Sequence, residues 1–160
     1  MAALTASRFR CEEKTERPEW VLHPDTMTIL SYPCRKATCH FKGRDYEAWY
    51  TPEIPKNEGP WKLCGLPGLI LKAQDSREHY TFVCTGIELS RDKSLILFNG
   101  ADFEPINRKN LQKAYERYAA DPLGYIALTS PQVKVTVTDD NGKPYQPKDM
   151  PYNPIELAER

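Results

Sequence analysis

Fourteen prolines stand against eight glycines in this chain of 160 residues, and they limit its possible folds more than any other feature. Each proline fixes φ near about −65° and removes a backbone donor, which rules out a long helical bundle and confines central strands to the stretches between prolines. A chain of this length can bury about 70% of the surface that its unfolded state exposes, so it can support a real core. The expectation is one domain over residues 1–160.

Between the prolines the apolar residues alternate. Leu4 to Glu13 and Glu19 to Leu22 read as short strands, followed by a turn at His23-Pro24-Asp25. Thr26 to Ser31 and Cys34 to Phe41 are extended and rich in β-branched and aromatic residues, and Lys42-Gly43 turns the chain. Arg44 to Tyr50 then sets Tyr46, Ala48 and Tyr50 on one face and Asp45, Glu47 and Trp49 on the other, so a β-hairpin is expected. Thr51 to Pro60 carries three prolines among polar residues and reads as a loop. In Leu66-Pro67-Gly68-Leu69, proline second and glycine third match a type II turn, whose third position needs positive φ. Leu69 to Ala73, Tyr80 to Leu89 and Leu95 to Phe98 follow as strands, with Asp75-Ser76-Arg77 as a turn.

One helix is expected near Asn107 to Ala120, because Leu111, Ala114, Tyr115, Tyr118 and Ala119 recur at helical spacing and Asn107 is a suitable N-cap. Pro122 ends it. Val133, Val135 and Val137 alternate with polar residues before a tight turn at Asp140-Asn141-Gly142-Lys143. The tail from Pro144 to Pro154 reads as extended, held by Tyr145, Tyr152 and Ile155. The fold class is therefore mainly β (α+β): a curved antiparallel sheet of five or more strands with one substantial helix in the C-terminal half.

The 22 Lys and Arg balance 22 Asp and Glu, so no net field draws the chain to nucleic acid or anionic lipid. No apolar run reaches the roughly 18 residues of a membrane span, and the first residues lack the basic, then apolar, then small-residue order of a signal peptide. Five cysteines suit an oxidising compartment with disulfides or a reducing one with buried thiols, and the odd number leaves at least one unpaired.

No pattern specifies catalysis or a cofactor. Cys34-Arg35-Lys36-Ala37-Thr38-Cys39-His40 looks like a stretched haem attachment motif, but Cys34 and Cys39 on one strand face opposite sides. Zinc needs ligands in close pairs, whereas His23, His40 and His79 are spread singly. Cys84 with His79, or Cys39 with His40, would make a nucleophile pair, yet nothing specifies an oxyanion hole. Asp45 and Glu47 share a strand face as polar residues on a solvated face commonly do. Tyr46, Trp49, Tyr50, Trp61, Tyr80 and Phe82 read chiefly as core, with an exposed platform for a sugar or peptide as the other reading.

Gly65-Leu66-Pro67-Gly68-Leu69-Ile70 spells the motif of the GLPGLI family, which this chain resembles. The likeness extends over Ile29 to Ala37, Phe41 to Pro55, Gly59 to Leu71 and the tail Tyr152-Asn153-Pro154-Ile155-Glu156-Leu157. The family is bacterial, usually exported and without an established activity. The resemblance thus implies a periplasmic or outer-envelope location and an N-terminal portion lacking from this chain, while the residues of the motif, a turn at Pro67-Gly68 and an apolar run at Leu69, Ile70 and Leu71, read as a fold signature. It also implies a disulfide between Cys34 and Cys84, positions where the family tends to carry cysteine, with Cys39–Cys84 as the competing pair. The Cys34–Cys84 bridge would close a loop of about fifty residues and contribute around 4 kcal/mol.

Two functional readings follow. The first is a non-enzymatic binding or accessory module of the envelope, its sheet wrapped around the helix to hold a hydrophobic ligand as lipid or lipoprotein carriers do. The second is a protein–protein interaction module that offers a sheet edge or the loop Thr51 to Pro60 to an envelope protein partner. A cysteine-dependent enzyme comes third. A cavity beside the helix supports the first, an exposed edge the second, and a Cys–His contact in a cleft the third.

Overall fold

The computed structural model describes residues 2–4, 7–88, 100, 102–146 and 152–157. Its first strands are β1 (Ala2–Leu4), β2 (Ser7–Arg10), β3 (Val21–Ile29), β4 (Tyr32–Phe41) and β5 (Arg44–Thr51). After them come β6 (Leu69–Asp75), β7 (Thr81–Val83), β8 (Glu104–Pro105), α1 (Arg108–Ala120), α2 (Pro122–Thr129), β9 (Val137–Thr138) and β10 (Pro144–Tyr145). The chain is mainly β. It forms two compact units: Thr15–Lys93 with Pro154–Arg160, and Met1–Lys14 with Ser94–Asn153.

The first unit holds a five-stranded antiparallel sheet in the order β3-β4-β5-β6-β7. Lys42 and Gly43 both have positive φ, 50° and 75°, which is the backbone of the two-residue hairpin turn whose twist matches its strands. The β5 alternation is as read: Tyr46, Ala48 and Tyr50 are buried, while Asp45 is exposed and Glu47 and Trp49 are half-buried. They join Ala37, Cys39 and Phe41 of β4 and Ile70 and Ala73 of β6 in one core, which Leu63, Leu66, Trp61 and Trp20 cover. Trp61 meets Phe41 edge-on with ring centroids 5.8 Å apart. Most of this cover comes from the loop after β5, where the sequence suggests a sheet wrapped around Asn107 to Ala120; that helix belongs to the other unit.

Two turns differ from the sequence reading. His23-Pro24-Asp25 does not separate strands; it lies within β3, where the pairing with β4 shifts register between Leu22 and Thr26. Proline is tolerated there because β3 is an edge strand among the described residues and the bulge leaves it no ladder bond to donate. The turn falls instead at Leu30-Ser31, with φ of 49° and 69°, between the paired residues Ile29 and Tyr32. Neither residue favours that conformation, so no local signal marks it.

In the second unit β1 and β2 pair antiparallel and β2 pairs with β8 in parallel over two residues. The helix forms where its periodicity places it, capped by the Asn107 side chain accepting from Asn110 N at 2.9 Å. Pro122 ends it and also opens α2, because a proline at the first helical position loses nothing and Asp121 caps the new helix through Gly124 N. Val133 and Val135 lie before the short strand β9 rather than in it. The hairpin reduces to β9 and β10, its turn tied by Asn141 N and Lys143 N to Asp139 Oδ1. The expected strand Leu95 to Phe98, the last residue of Tyr80 to Leu89 and the middle of the tail lie outside the described residues.

Because the Leu30-Ser31 turn demands left-handed backbone from two ordinary residues, Ser31→Gly should stabilise the protein by about 0.5–1 kcal/mol. A thermal melt that does not move upward would show that the turn is not under this strain.

Candidate functional site

Strand parity carries one more residue onto the buried face of β5, two positions before Tyr46: Arg44, which is 4% exposed. Its Nη1 donates to Asp75 Oδ2 at 2.9 Å, and both side chains are 2% exposed. Nη1 also lies 3.3 Å from His79 Nδ1, and the guanidinium stacks on Tyr80 with its carbon 4.9 Å from the ring centroid. The remaining face of the fork turns to the C-terminal segment. Nη2 donates to Pro154 O at 2.6 Å and Nε to Ile155 O at 3.1 Å.

A buried ion pair is tolerated only when its other polar atoms are satisfied. Asp75 meets this condition by accepting from Tyr80 N at 2.8 Å through its second oxygen. Burial pushes the Asp75 carboxyl up, but the Tyr80 amide and the Arg44 guanidinium outweigh it and hold it below its ordinary value. The C-terminal segment is fixed further by Leu157 N donating to Lys42 O at 2.9 Å and by Lys62 Nζ at 2.6 Å from Glu156 Oε1. A Cβ on Gly43 would stand 2.8 Å from that of Leu157, so the glycine that makes the turn also admits the tail.

The hexapeptide Gly65, Leu66, Pro67, Gly68, Leu69, Ile70 is structural in its geometry. Leu66 and Ile70 are 1% and 5% exposed, and Leu71 beyond them 1%, while Leu69 is half-buried. The turn is tighter than type II. Gly68 N donates to Leu66 O at 2.8 Å, and Leu69 N leaves the turn altogether for Ile54 O at 3.0 Å. Gly68 has the positive φ expected of it, 155°, and glycine is required there for a second reason: a Cβ at Gly68 would overlap Thr51 O and lie 2.6 Å from Thr51 C and 2.9 Å from Pro52 Cα. The loop from Thr51 to Pro60 is likewise tied down, since Asn57 O accepts from Gly65 N and Glu58 O from Ile70 N.

The expected Cys34–Cys84 disulfide is absent. All five cysteines are free thiols. Cys34 lies on β4 and Cys84 follows β7, with β5 and β6 between them. Three strand spacings amount to about 14 Å, twice the Cα separation that a disulfide spans. The same separation disposes of Cys39–Cys84. Burial pushes the Cys39 thiol up to about 12 and raises that of Cys34, so neither is a thiolate near neutral pH.

Of the other chemical candidates, His40, Asp45 and Glu47 line one open hollow of about 550 Å³ together with Cys39 and Asp75, whereas His23 and His79 are not among its lining residues. His23 Nε2 meets Thr38 Oγ1 at 2.7 Å, His40 Nδ1 meets Asp45 Oδ1 at 2.7 Å, and His79 meets Arg44. Glu47 is held by Lys36 Nζ at 2.7 Å and Trp49 Nε1 at 2.9 Å, the first of which chiefly lowers its pKa. Asp45 and Glu47 thus serve cross-strand pairs rather than each other. Among the described residues, no three His, Cys, Asp or Glu side chains converge on a metal-sized site, and no helix is long and apolar enough to cross a membrane.

The sheet's edges leave apolar surface open. Among the described residues β3 has a neighbour only in β4, and Val21, Leu22 and Met27 are 61%, 55% and 36% exposed. At the other edge an open hollow of about 450 Å³ is lined by Pro60, Ile70, Leu71, Phe82, Val83 and Cys84 together with the polar Thr81.

A family model described as "Protein of unknown function (Porph_ging)" matches residues 40–72, the stretch from the end of β4 through the hexapeptide into β6. No curated protein and no solved structure matches the chain.

Three outcomes test the ion pair and the motif. Gly68→Ala should destabilise by about 1 kcal/mol or more, because its Cβ meets backbone that cannot yield; an unchanged melting temperature would contradict this crowding. Arg44→Ala should cost about 3–5 kcal/mol in urea denaturation by stranding the Asp75 charge. Since the folded Asp75 pKa lies below the unfolded one, its contribution is complete above about pH 4 and is lost as pH falls through the depressed value. Asp75→Asn should therefore flatten the acid limb of the stability curve.

Proposed function

We propose that this chain is a GLPGLI-type, exported, non-enzymatic binding module of the bacterial envelope that takes an extended segment of a partner protein along the outer edge of β3. The exposure of that edge carries the reading. A nine-residue edge strand that leaves Val21, Leu22 and Met27 to solvent offers both main-chain hydrogen bonds and apolar side chains to an added strand. Pro24 and the bulge between Leu22 and Thr26 interrupt the edge, which restricts pairing to the runs on either side and disfavours indiscriminate sheet growth.

The chemistry of the side chains supports a binding role over a catalytic one. The Cys34 and Cys39 thiols are held protonated by burial, and the three histidines meet Thr38, Asp45 and Arg44 rather than sulfur. A hydrophobic ligand is the second reading, and the hollow beside Leu71 and Phe82 favours it. Its volume lies within the range of small-molecule sites, but it is open and small against an acyl chain that must be enclosed.

Photo-crosslinking residues incorporated at Leu22 or Met27 in the exported protein should yield a specific adduct with an envelope protein, and incorporation at His40, on the polar sheet face, should not. Equal background at all three positions would refute the edge as the binding surface.

A further inference from the structure

The contacts that hold the C-terminal segment make up a peptide-binding slot. Two of them are made to main-chain carbonyls, those of Pro154 and Ile155, by a guanidinium that is itself buried and already oriented by Asp75 and Tyr80. A third pairs Leu157 N with Lys42 O at the β4–β5 turn. Selectivity comes from Lys62, which reaches Glu156 across 2.6 Å while the glutamate side chain is 9% exposed, and from Gly43, whose missing Cβ leaves room for Leu157. The slot thus reads an extended backbone with an acidic residue at one position and an aliphatic one after it.

The occupant reaches this slot from far along the chain. Residues 15–93 and 154–160 make one compact unit, while Ser94–Asn153, which separate them in sequence, belong to the other. Withdrawing the segment breaks the contacts just named and leaves the strand ladders of the five-stranded sheet intact. Every one of these contacts is equally available to the same segment of another molecule, because the main-chain acceptors and Glu156 are identical in each copy. We propose that Pro154–Leu157 is an exchangeable strap, and that the slot formed by Lys42, Gly43, Arg44 and Lys62 binds the strap of a second copy, giving a reciprocal strap-swapped dimer. The site is separate from the β3 edge, so this inference stands or falls independently of the proposed function.

Charge reversal tests it. The variant K62E keeps a normal strap but has a slot that repels Glu156, and E156K keeps a normal slot but carries a strap that Lys62 repels. Exchange between the two restores an opposite-charge pair in both slots, the native one in the E156K chain and the inverted one in the K62E chain, whereas neither variant can restore a pair alone. On mixing, native mass spectrometry and light scattering should show a heterodimer with twice the mass of either variant, at least tenfold more abundant than homodimer in the separate samples. The double variant K62E/E156K, which restores the pair within one chain, should match the wild type. If both single variants are folded by circular dichroism and the mixture contains no heterodimer, the proposal is wrong. If the single variants are too unstable to fold, the mixture should melt above both of them, and a melt equal to the average of the separate samples would overturn it equally.

Discussion

The ion pair of Arg44 and Asp75 locks the end of the β5–β6 ladder, where Tyr46 pairs with Asp75, and reaches from there to parts of the sheet unit that no ladder holds. It bridges the first residue of β5 to the last residue of β6, and through Tyr80 N and the Tyr80 ring it fixes the turn that leads to β7. Its outer donors hold Pro154 and Ile155. Two charges removed from water cost several kcal/mol each before their attraction offsets it, and such a pair persists only in a site that satisfies the remaining donors and acceptors. Here the tail supplies acceptors that a hydrophobic cover could not. The C-terminal segment is accordingly held mainly by side chains reaching to its backbone, with one strand-like bond at Lys42, rather than by a ladder.

The loop after β5 answers a related problem at the other end of the sheet. It must cover Tyr46, Ala48 and Tyr50 while carrying prolines that cannot donate, and it does so by offering carbonyls. Ile54, Asn57 and Glu58 accept from Leu69, Gly65 and Ile70, which lashes the loop to the hexapeptide. The close approach of Gly68 to Thr51 and Pro52 is a consequence of this arrangement, and it explains why the motif is made of glycine, proline and aliphatic residues with no polar group. A motif of that composition serves packing. Among the described residues, the packing leaves apolar surface open at the β3 edge and in the hollow beside Leu71 and Phe82.

Much of this is legible residue by residue. Period-two alternation locates β5, β-branched and aromatic content locates β4, and the turn at Pro67-Gly68 followed by an apolar run locates β6; the parity that buries Tyr46 applies equally to Arg44, where a charge in register with the core-facing residues is the sequence sign of a buried pair. Asn107 and Asp121 behave as caps, and Pro122, which reads as a stop, also starts α2. The turn between β3 and β4 is not legible, since Leu30 and Ser31 have no preference for positive φ and are forced there by the register of Ile29 with Tyr32. The cysteine pairing is illegible for a similar reason. A resemblance points to Cys34 and Cys84 but holds no information on how many strands lie between them.

The sequence by itself determined the mainly β class, the faces of the strands and the site of the first helix. These depend on periodicity and on the φ preferences of proline and glycine, which act within a few residues. Only the tertiary structure decided which strands are edges, which carbonyls satisfy the hexapeptide's amides and that Pro154 and Ile155 return to Arg44. The physical reason is distance along the chain: Arg44 and its acceptors are separated by 110 and 111 positions of sequence. No local propensity records which backbone carbonyl will finally meet a donor that burial has removed from water.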